Sequence, residues 1–477
     1  MASLLALVAC GKDGPAPTPL SRDLLLDPGT CGGCHQQHYA EWSGSMHAYA
    51  AEDPVFLAMN ARAQRLTGGA VGTFCVNCHA PMAVREGLTT DGLNLPSLPS
   101  AVKGVTCYFC HTVDAVTGAH NNPLELNDGV TMLGEYTDAV TTRGHLSAYS
   151  PLHDRNRLES AGLCGSCHDI VSPAGAHIER TFKEWQGSVF AKAQGGNTCA
   201  QCHLPQNASI AALAVGSGLP ARRTYSHAAA AVDVALSPFP QAETQRALVQ
   251  QALDATLQSA LCVKQTAQGA ALRVMLDNVA AGHAFPSGAT QDRRTWVEVV
   301  AYKNGSVIYQ SGVVADGNTP TSAPDPDFWM LRDCIFDAAG NPTHNFWETA
   351  DYETNVLPTL TTFDASDPNF YKTHIVQNYP RQVTGTLPAI PDRVTLRVRM
   401  QPVGLDVLDD LIATGDLDSG IRSKVPTFDV GAPLEWTPSS TNGEYVEGGQ
   451  RVTCVTKTNM NVGATRTLAV NHSRCAP

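Results

Sequence analysis

A chain of 477 residues exceeds one ordinary domain, so two or three are expected. Apolar residues at 43% and charged residues at 16% exclude a disordered chain. A net charge of −12 argues against a nucleic-acid partner, which needs a basic face to displace counterions; it fits plain solubility or docking to a basic protein.

The first ten residues end in Leu7-Val8-Ala9-Cys10, the form of a lipobox, where a leader is cut before a lipidated cysteine. The segment lacks a basic start and its apolar run is short, so an incidental segment is the competing reading. The Pro/Gly-rich stretch 11–19 reads as a tether and favours membrane attachment through lipid at Cys10. No other stretch approaches the ~20 apolar residues of a membrane span. Residues 1–28 are read as leader and linker.

Ten of the fifteen cysteines fall in five Cys-x-x-Cys-His motifs: Cys31-Cys34-His35, Cys75-Cys78-His79, Cys107-Cys110-His111, Cys164-Cys167-His168 and Cys199-Cys202-His203. Two thiols three positions apart on one helical turn reach the two vinyl groups of a haem and form thioethers. The next histidine then aims its imidazole at the iron. A bare Cys-x-x-Cys would equally suit zinc or a thioredoxin-like pair. Here a histidine follows all five, where this composition would yield roughly 0.02 such motifs by chance. Five covalent haems c are therefore expected, and their attachment places the chain outside the cytoplasm, in a periplasm or on a cell surface. At about 35 residues per haem, side chains alone cannot build an ordinary core, so the porphyrins are expected to supply most of the interior of residues 29–227.

Within that span a unit repeats. Glu41-Trp42-Ser43-Gly44-Ser45 follows the first motif and Glu184-Trp185-Gln186-Gly187-Ser188 follows the fourth. Each copy leads to another motif that continues His-x-Pro, at His79-Ala80-Pro81 and His203-Leu204-Pro205. His38, Glu41, Trp42 and Ser45 follow helical spacing. Two residues beyond the last serine the copies diverge, His47 against Phe190, which singles out His47 as a distal iron ligand.

Residues 228–261 form a connecting segment with a helix near 241–252. From 262 the texture becomes β: 271–279, 295–302 and 394–400 read as strands, and Lys303-Asn304-Gly305-Ser306 as a hairpin turn into Val307-Ile308-Tyr309. Residues 262–477 are read as a β-sandwich-like domain with long loops at 316–330 and 357–370. Its cysteines lack haem spacing; Cys262–Cys334 and Cys454–Cys475 are the preferred pairing among three connectivities. The fold class is thus α+β: a helical and loop-rich multihaem domain with haems as its core, then the β domain.

Three stretches carry a family resemblance: Tyr39…Glu41-Trp42…Ser45-x-His47-Ala48; Cys164…His168…Arg180-Thr181-Phe182-x-Glu184-Trp185…Ser188; and Gly282-His283-Ala284-Phe285-Pro286-Ser287-Gly288. Residues 31–290 resemble the multihaem cytochromes c that include the tetrahaem cytochrome of hydroxylamine oxidation and, more distantly, hydroxylamine oxidoreductase. The resemblance implies closely stacked, mostly bis-histidinyl haems. It implies His47 and His283 as distal ligands, His227 as the ligand after the last motif, and one of His145 and His153 before the fourth. His120 and His177 are weaker candidates; His38, His344, His374 and His472 read as ordinary histidines. Met82 lies too near His79 to reach the opposite face of that haem, and all-histidine ligation favours low potentials.

Three functions fit. A relay with every iron six-coordinate is preferred. A multihaem oxidoreductase would keep one iron open for a nitrogen or sulfur oxyanion, yet no motif replaces its histidine by lysine. A subunit of a conducting filament is the third. Donor and acceptor proteins are the expected partners, in extracellular electron transfer among other settings, and a homo-oligomer accompanies the filament reading.

Overall fold

The computed structural model describes residues 18–216, 219–320, 325–381, 385–464 and 466–470. Cys10, His472 and Cys475 lie outside them, as does the proposed lipid anchor. The chain divides into two compact units. The first comprises residues 1–173, 190–248 and 411–421, and the second 174–189, 249–410 and 422–477. The second unit therefore takes residues 174–189, with the second copy of the repeat, out of the span assigned from sequence to the haem domain. Among the described residues no helix is long and apolar enough to cross a membrane.

The first unit is built from short helices. Its longest outside the connecting segment, Pro54–Leu66, starts at Pro54 with Asp53 as cap, the side chain accepting from Val55 N. Proline suits a first turn whose N–H would lack an intrahelical partner, and the carboxylate satisfies a neighbouring orphan donor. The haem motifs themselves are single turns. Thr106 caps Cys107–His111 by accepting from Phe109 N. Thr198 caps Cys199–His203 through a reciprocal box with Gln201. In the first, second and fourth motifs the histidine N–H returns to the carbonyl of the first cysteine, at 2.7, 3.3 and 3.0 Å, so one turn carries both thiols.

Small β ribbons complete this unit. Val113–Val116 pairs antiparallel with Leu124–Leu126, and Thr131–Gly134 parallel with Leu146–Tyr149. Gln206–Ala212 pairs antiparallel with Ala221–Tyr225. A contiguous apolar cluster lies around the second and third motifs: Phe56, Val76, Met82, Leu95, Tyr108 and Phe109 are among its buried members. Beside the porphyrins expected to supply most of the interior, side chains form a local core of their own. Residues 54–113 contain enough large apolar side chains to build a local core, with Met82 inside it.

The second unit is β. One six-stranded sheet runs Gly443–Glu447, Gln450–Thr456, Gln258–Thr266, Gly269–Asp277, His374–Tyr379, Thr467–Leu468. The other has Ser306–Ser311, Arg294–Lys303, Arg393–Gln401 and Phe428–Asp429 in order, with Trp329–Leu331 and Leu434–Trp436 on its two long strands. The fully buried Trp436 donates to Thr453 Oγ1 at 3.3 Å, from one sheet to the other. The strands expected at 271–279, 295–302 and 394–400 occur at Gly269–Asp277, Arg294–Lys303 and Arg393–Gln401, and the helix near 241–252 is Ala242–Asp254. Asn304 and Gly305 both take positive φ (51° and 78°), the turn a two-residue hairpin requires. Helices and sheets together give the α+β class.

The expected cysteine pairing is corrected. Cys262 bonds to Cys454, 192 residues away. These two face each other in register across neighbouring strands, so Cys262–Cys334 and Cys454–Cys475 are both excluded. Sequence proximity favoured the shorter loops; strand register decided otherwise.

Candidate haem sites

The histidines of the motifs are oriented by main-chain carbonyls. His35 Nδ1–H donates to Leu213 O at 2.7 Å, His79 to Ala50 O at 3.0 Å, His111 to Leu133 O at 2.7 Å and His203 to Ala230 O at 3.1 Å. A donated Nδ1–H fixes the tautomer and makes Nε2 the lone-pair nitrogen, the usual arrangement of a metal-bound imidazole. Leu133 lies on the ribbon Thr131–Gly134, and Leu213 follows the ribbon strand Gln206–Ala212. The ribbons thus aim carbonyls at imidazoles.

Distal candidates face these rings at a telling distance. A metal–imidazole bond is about 2.0 Å and the ring centroid lies about 1.1 Å behind the nitrogen, so two imidazoles on one metal have centroids about 6.2 Å apart. His35 and His145 are stacked with centroids 6.0 Å apart. His47 and His168 lie 6.3 Å apart. His111 has two partners, His153 at 5.7 Å and His227 at 6.3 Å, both stacked. His227 Nδ1–H donates to Tyr225 O at 2.9 Å and His145 Nδ1–H to Leu146 O at 2.9 Å, again leaving Nε2 as the ligating atom. His153 is reversed: its Nε2 bonds Cys110 O at 2.7 Å, while its buried Nδ1 has no hydrogen bond.

Burial keeps these rings neutral. His47 is pushed down to about 4 by desolvation, with His168 adding repulsion, and His227 and His153 reach about 4 from the same cause. Desolvation also lowers His35, His111, His145 and His203. A neutral imidazole is the form that binds a metal. His38, read from sequence as ordinary, belongs to the same cluster, with centroids 4.6 Å from His227 and 6.2 Å from His35. Its placement one helical turn from His35 was the available signal.

The remaining candidates are placed as follows. His79 stacks on Phe56 at 3.9 Å with the rings parallel. His120 is exposed on the loop between the strands Val113–Val116 and Leu124–Leu126. His283, in the second unit, donates Nδ1–H to Ala284 O at 2.8 Å. His374 is an ordinary buried histidine paired with Asp277 at 2.7 Å.

The thiols come together across motifs. Nine of the ten motif cysteines, Cys31, Cys75, Cys78, Cys107, Cys110, Cys164, Cys167, Cys199 and Cys202, are unoxidised. Cys31 hydrogen-bonds Cys107, Cys78 bonds Cys167 and Cys164 bonds Cys199. These contacts lower Cys31 and Cys164 and raise Cys107, Cys167 and Cys199; burial, with the neighbouring Cys78 and Cys164 thiols adding to it, pushes Cys75 and Cys110 up to about 12. Contacts of this kind bring motif 1 beside 3, 2 beside 4 and 4 beside 5. Among the described residues no group of three or more His, Cys, Asp or Glu is arranged to hold a bare metal ion. The donor set is instead one of facing imidazoles beside paired thiols, which fits haem c.

The two copies of the repeat share local geometry. Ser45 Oγ donates to Trp42 O at 2.7 Å, and Ser188 Oγ to Trp185 O at 2.7 Å. Trp42 Nε1 donates to Val105 O at 2.8 Å, and Val105 N to His47 O at 2.8 Å, which ties the His47 segment to the entry of the third motif. Gly104 stands there with φ +71°, and a Cβ would lie 2.5 Å from His47 O, so only glycine permits the approach. In the second unit, the two sequence motifs around Glu184 and His283 meet. Thr181 Oγ1 lies 2.8 Å from Ser287 Oγ and accepts from Gly288 N at 3.0 Å. Glu184 Oε2 accepts from Ser287 Oγ at 2.8 Å and Ala284 N at 3.3 Å, and burial raises its pKa.

Comparison with known proteins agrees with this chemistry. Residues 30–112, which hold the first three motifs and His47, match the family model described as cytochrome c554 and c-prime. No curated protein matches. The fold resembles the crystal structure of a penta-heme cytochrome c552 from Thermochromatium tepidum, with a TM-score of 0.57 at 18% identity over 88% of this chain and 98% of that one. The family match covers the first three motifs, and the structural likeness is one of fold.

Proposed function

We propose that this chain is an extracytoplasmic pentahaem cytochrome c that relays electrons through closely spaced, bis-histidinyl haems. The observation that carries it is the facing of motif histidines by second imidazoles at about the 6 Å spacing of two ligands on one iron: His35 with His145, His47 with His168, and His111 with His227. In this reading Cys31, Cys34, Cys75, Cys78, Cys107, Cys110, Cys164, Cys167, Cys199 and Cys202 form the thioethers. His35, His79, His111, His168 and His203 are the proximal ligands. His47, His145 and His227 are distal ligands, His283 is a fourth on the sequence alone, and His153 and His120 are not.

When bound, haem iron supplies the one-electron redox chemistry. The chain's own residues hold imidazoles neutral, fix their tautomers through backbone carbonyls and bring attachment thiols of different motifs into contact. The adjacency of motifs 1 and 3, 2 and 4, and 4 and 5 supports hopping between neighbouring haems. Attachment to a membrane through lipid at Cys10, redox proteins as donor and acceptor, and distant kinship to hydroxylamine oxidoreductase belong to the same proposal and rest on the sequence.

A pyridine haemochrome assay on the purified protein should count five haems c per chain, and EPR of the oxidised protein should show low-spin iron at the four haems given two imidazoles. A count below five would remove a motif from the reading. A high-spin signal that shifts with nitrite or hydroxylamine would replace the relay by an enzyme.

A further inference from the structure

The two copies of Glu-Trp-x-Gly-Ser lie in different units, yet their glutamates do one thing. In the first unit Glu41 Oε2 accepts the main-chain N–H of His227 at 2.9 Å. In the second, Glu184 Oε2 accepts the N–H of Ala284, the residue after His283, at 3.3 Å, and the hydroxyl of Ser287 at 2.8 Å. Each glutamate therefore grips the backbone beside a histidine that lies far along the chain and follows the last haem motif. Neighbouring groups complete each grip. Gln37 Nε2 donates to Glu41 Oε1 at 2.9 Å and so orients the carboxylate. Asn278 Nδ2 donates to His283 O at 2.7 Å, so the peptide joining His283 to Ala284 is held at its carbonyl and its N–H. Both histidines also turn Nδ1–H to a nearby main-chain carbonyl, Tyr225 O and Ala284 O, so a fixed backbone fixes the ring.

We infer that Glu41 and Glu184 are positioning residues, each clamping the loop that presents a distal haem ligand, His227 and His283 respectively. This deepens the proposed function and rests on its assignment of those two histidines. The physical reason for a carboxylate is that neither loop has regular secondary structure at the ligand. Residues 226–230 and 278–284 lie outside strands and helices, so their N–H groups need an acceptor from elsewhere, and an anionic one binds more strongly than a neutral carbonyl. The repeat then explains itself: the helix that follows a haem motif carries a clamp for a ligand delivered from downstream.

The test compares E41A, E41Q and H227A, with E184A and H283A as the second copy, by EPR and by redox titration of the haem-loaded protein. H227A and H283A should each convert one haem to high spin; a spectrum unchanged in both would overturn the ligand assignment itself. E41A should leave the haem count intact but raise the high-spin share of the haem that H227A converts, with an altered low-spin g-tensor, since losing a hydrogen bond to a charged acceptor shifts a loop equilibrium about tenfold or more. E41Q keeps an oxygen for His227 N and should restore the native signal. The clamp is overturned if H227A acts as stated while E41A is spectroscopically native, or if E41Q behaves as E41A does. E184A, read against H283A, gives an independent decision should E41A fail to accumulate.

Discussion

His111 faces two imidazoles, and one pair of substitutions decides which completes the site. His227 lies 6.3 Å away with its Nδ1 satisfied by Tyr225 O, whereas His153 lies 5.7 Å away with Nε2 engaged by Cys110 O. The first has the hydrogen-bonding of a ligand and the second that of a brace on the third motif. H227A should therefore turn one iron in five, about one quarter of the low-spin intensity, to high spin, because removing a ligand weakens the ligand field at that iron alone. H153A should leave the spin count unchanged. It removes one hydrogen bond and part of a half-buried ring, a loss of about 1–2 kcal/mol, or a few degrees in melting temperature. Low-temperature EPR with spin quantification, beside thermal unfolding followed by circular dichroism, separates the two effects. High-spin iron in H153A with a native spectrum in H227A would refute the reasoning and make Nδ1 of His153 the ligand.

Three further outcomes follow from the same structure. Burial pushes His47 and His227 down to about 4, below the 6.5 of a free imidazole, so the unfolded chain binds more protons between those values. Stability from these rings is full above pH 6.5 and falls as pH drops toward 4; a melting temperature flat across that window would contradict it. Asp53 is shifted the other way, to about 6 by burial, so it is protonated more readily folded than unfolded and its ionisation opposes folding above pH 4. D53N keeps a capping side chain and should stabilise by about 1 kcal/mol at pH 7, the screened value for a partly exposed group, with the gain vanishing near pH 4 in paired melts. Replacing Cys262 and Cys454 together by serine opens a cross-link 192 residues long and should cost about 2–5 kcal/mol in urea unfolding; an unchanged midpoint would show the pair is reduced in the native protein.

The haem sites divide cleanly between what lies within a few residues and what does not. Each attachment motif is one helical turn, so its two thiols and its proximal histidine are set by consecutive residues and were read directly. The hairpin at Asn304-Gly305 and the strands flanking it were legible for the same reason, since turn chemistry and alternation are local. His47 was singled out by comparing two copies of the repeat, and it faces His168 at 6.3 Å. The contact of His38 with His227 was not legible, because the two lie at opposite ends of the first unit's sequence.

By itself, then, the sequence determined the five Cys-x-x-Cys-His motifs and the main elements of the β unit, all of which depend on residues a turn or a strand apart. Only the tertiary structure decided which imidazole faces which, that Cys262 joins Cys454, and that Glu41 accepts from His227 N and Glu184 from Ala284 N. Those pairings join residues about a hundred or more positions apart. They are selected by ribbon register and by carbonyls such as Leu133 O and Leu213 O, and a backbone carbonyl has no letter in a sequence.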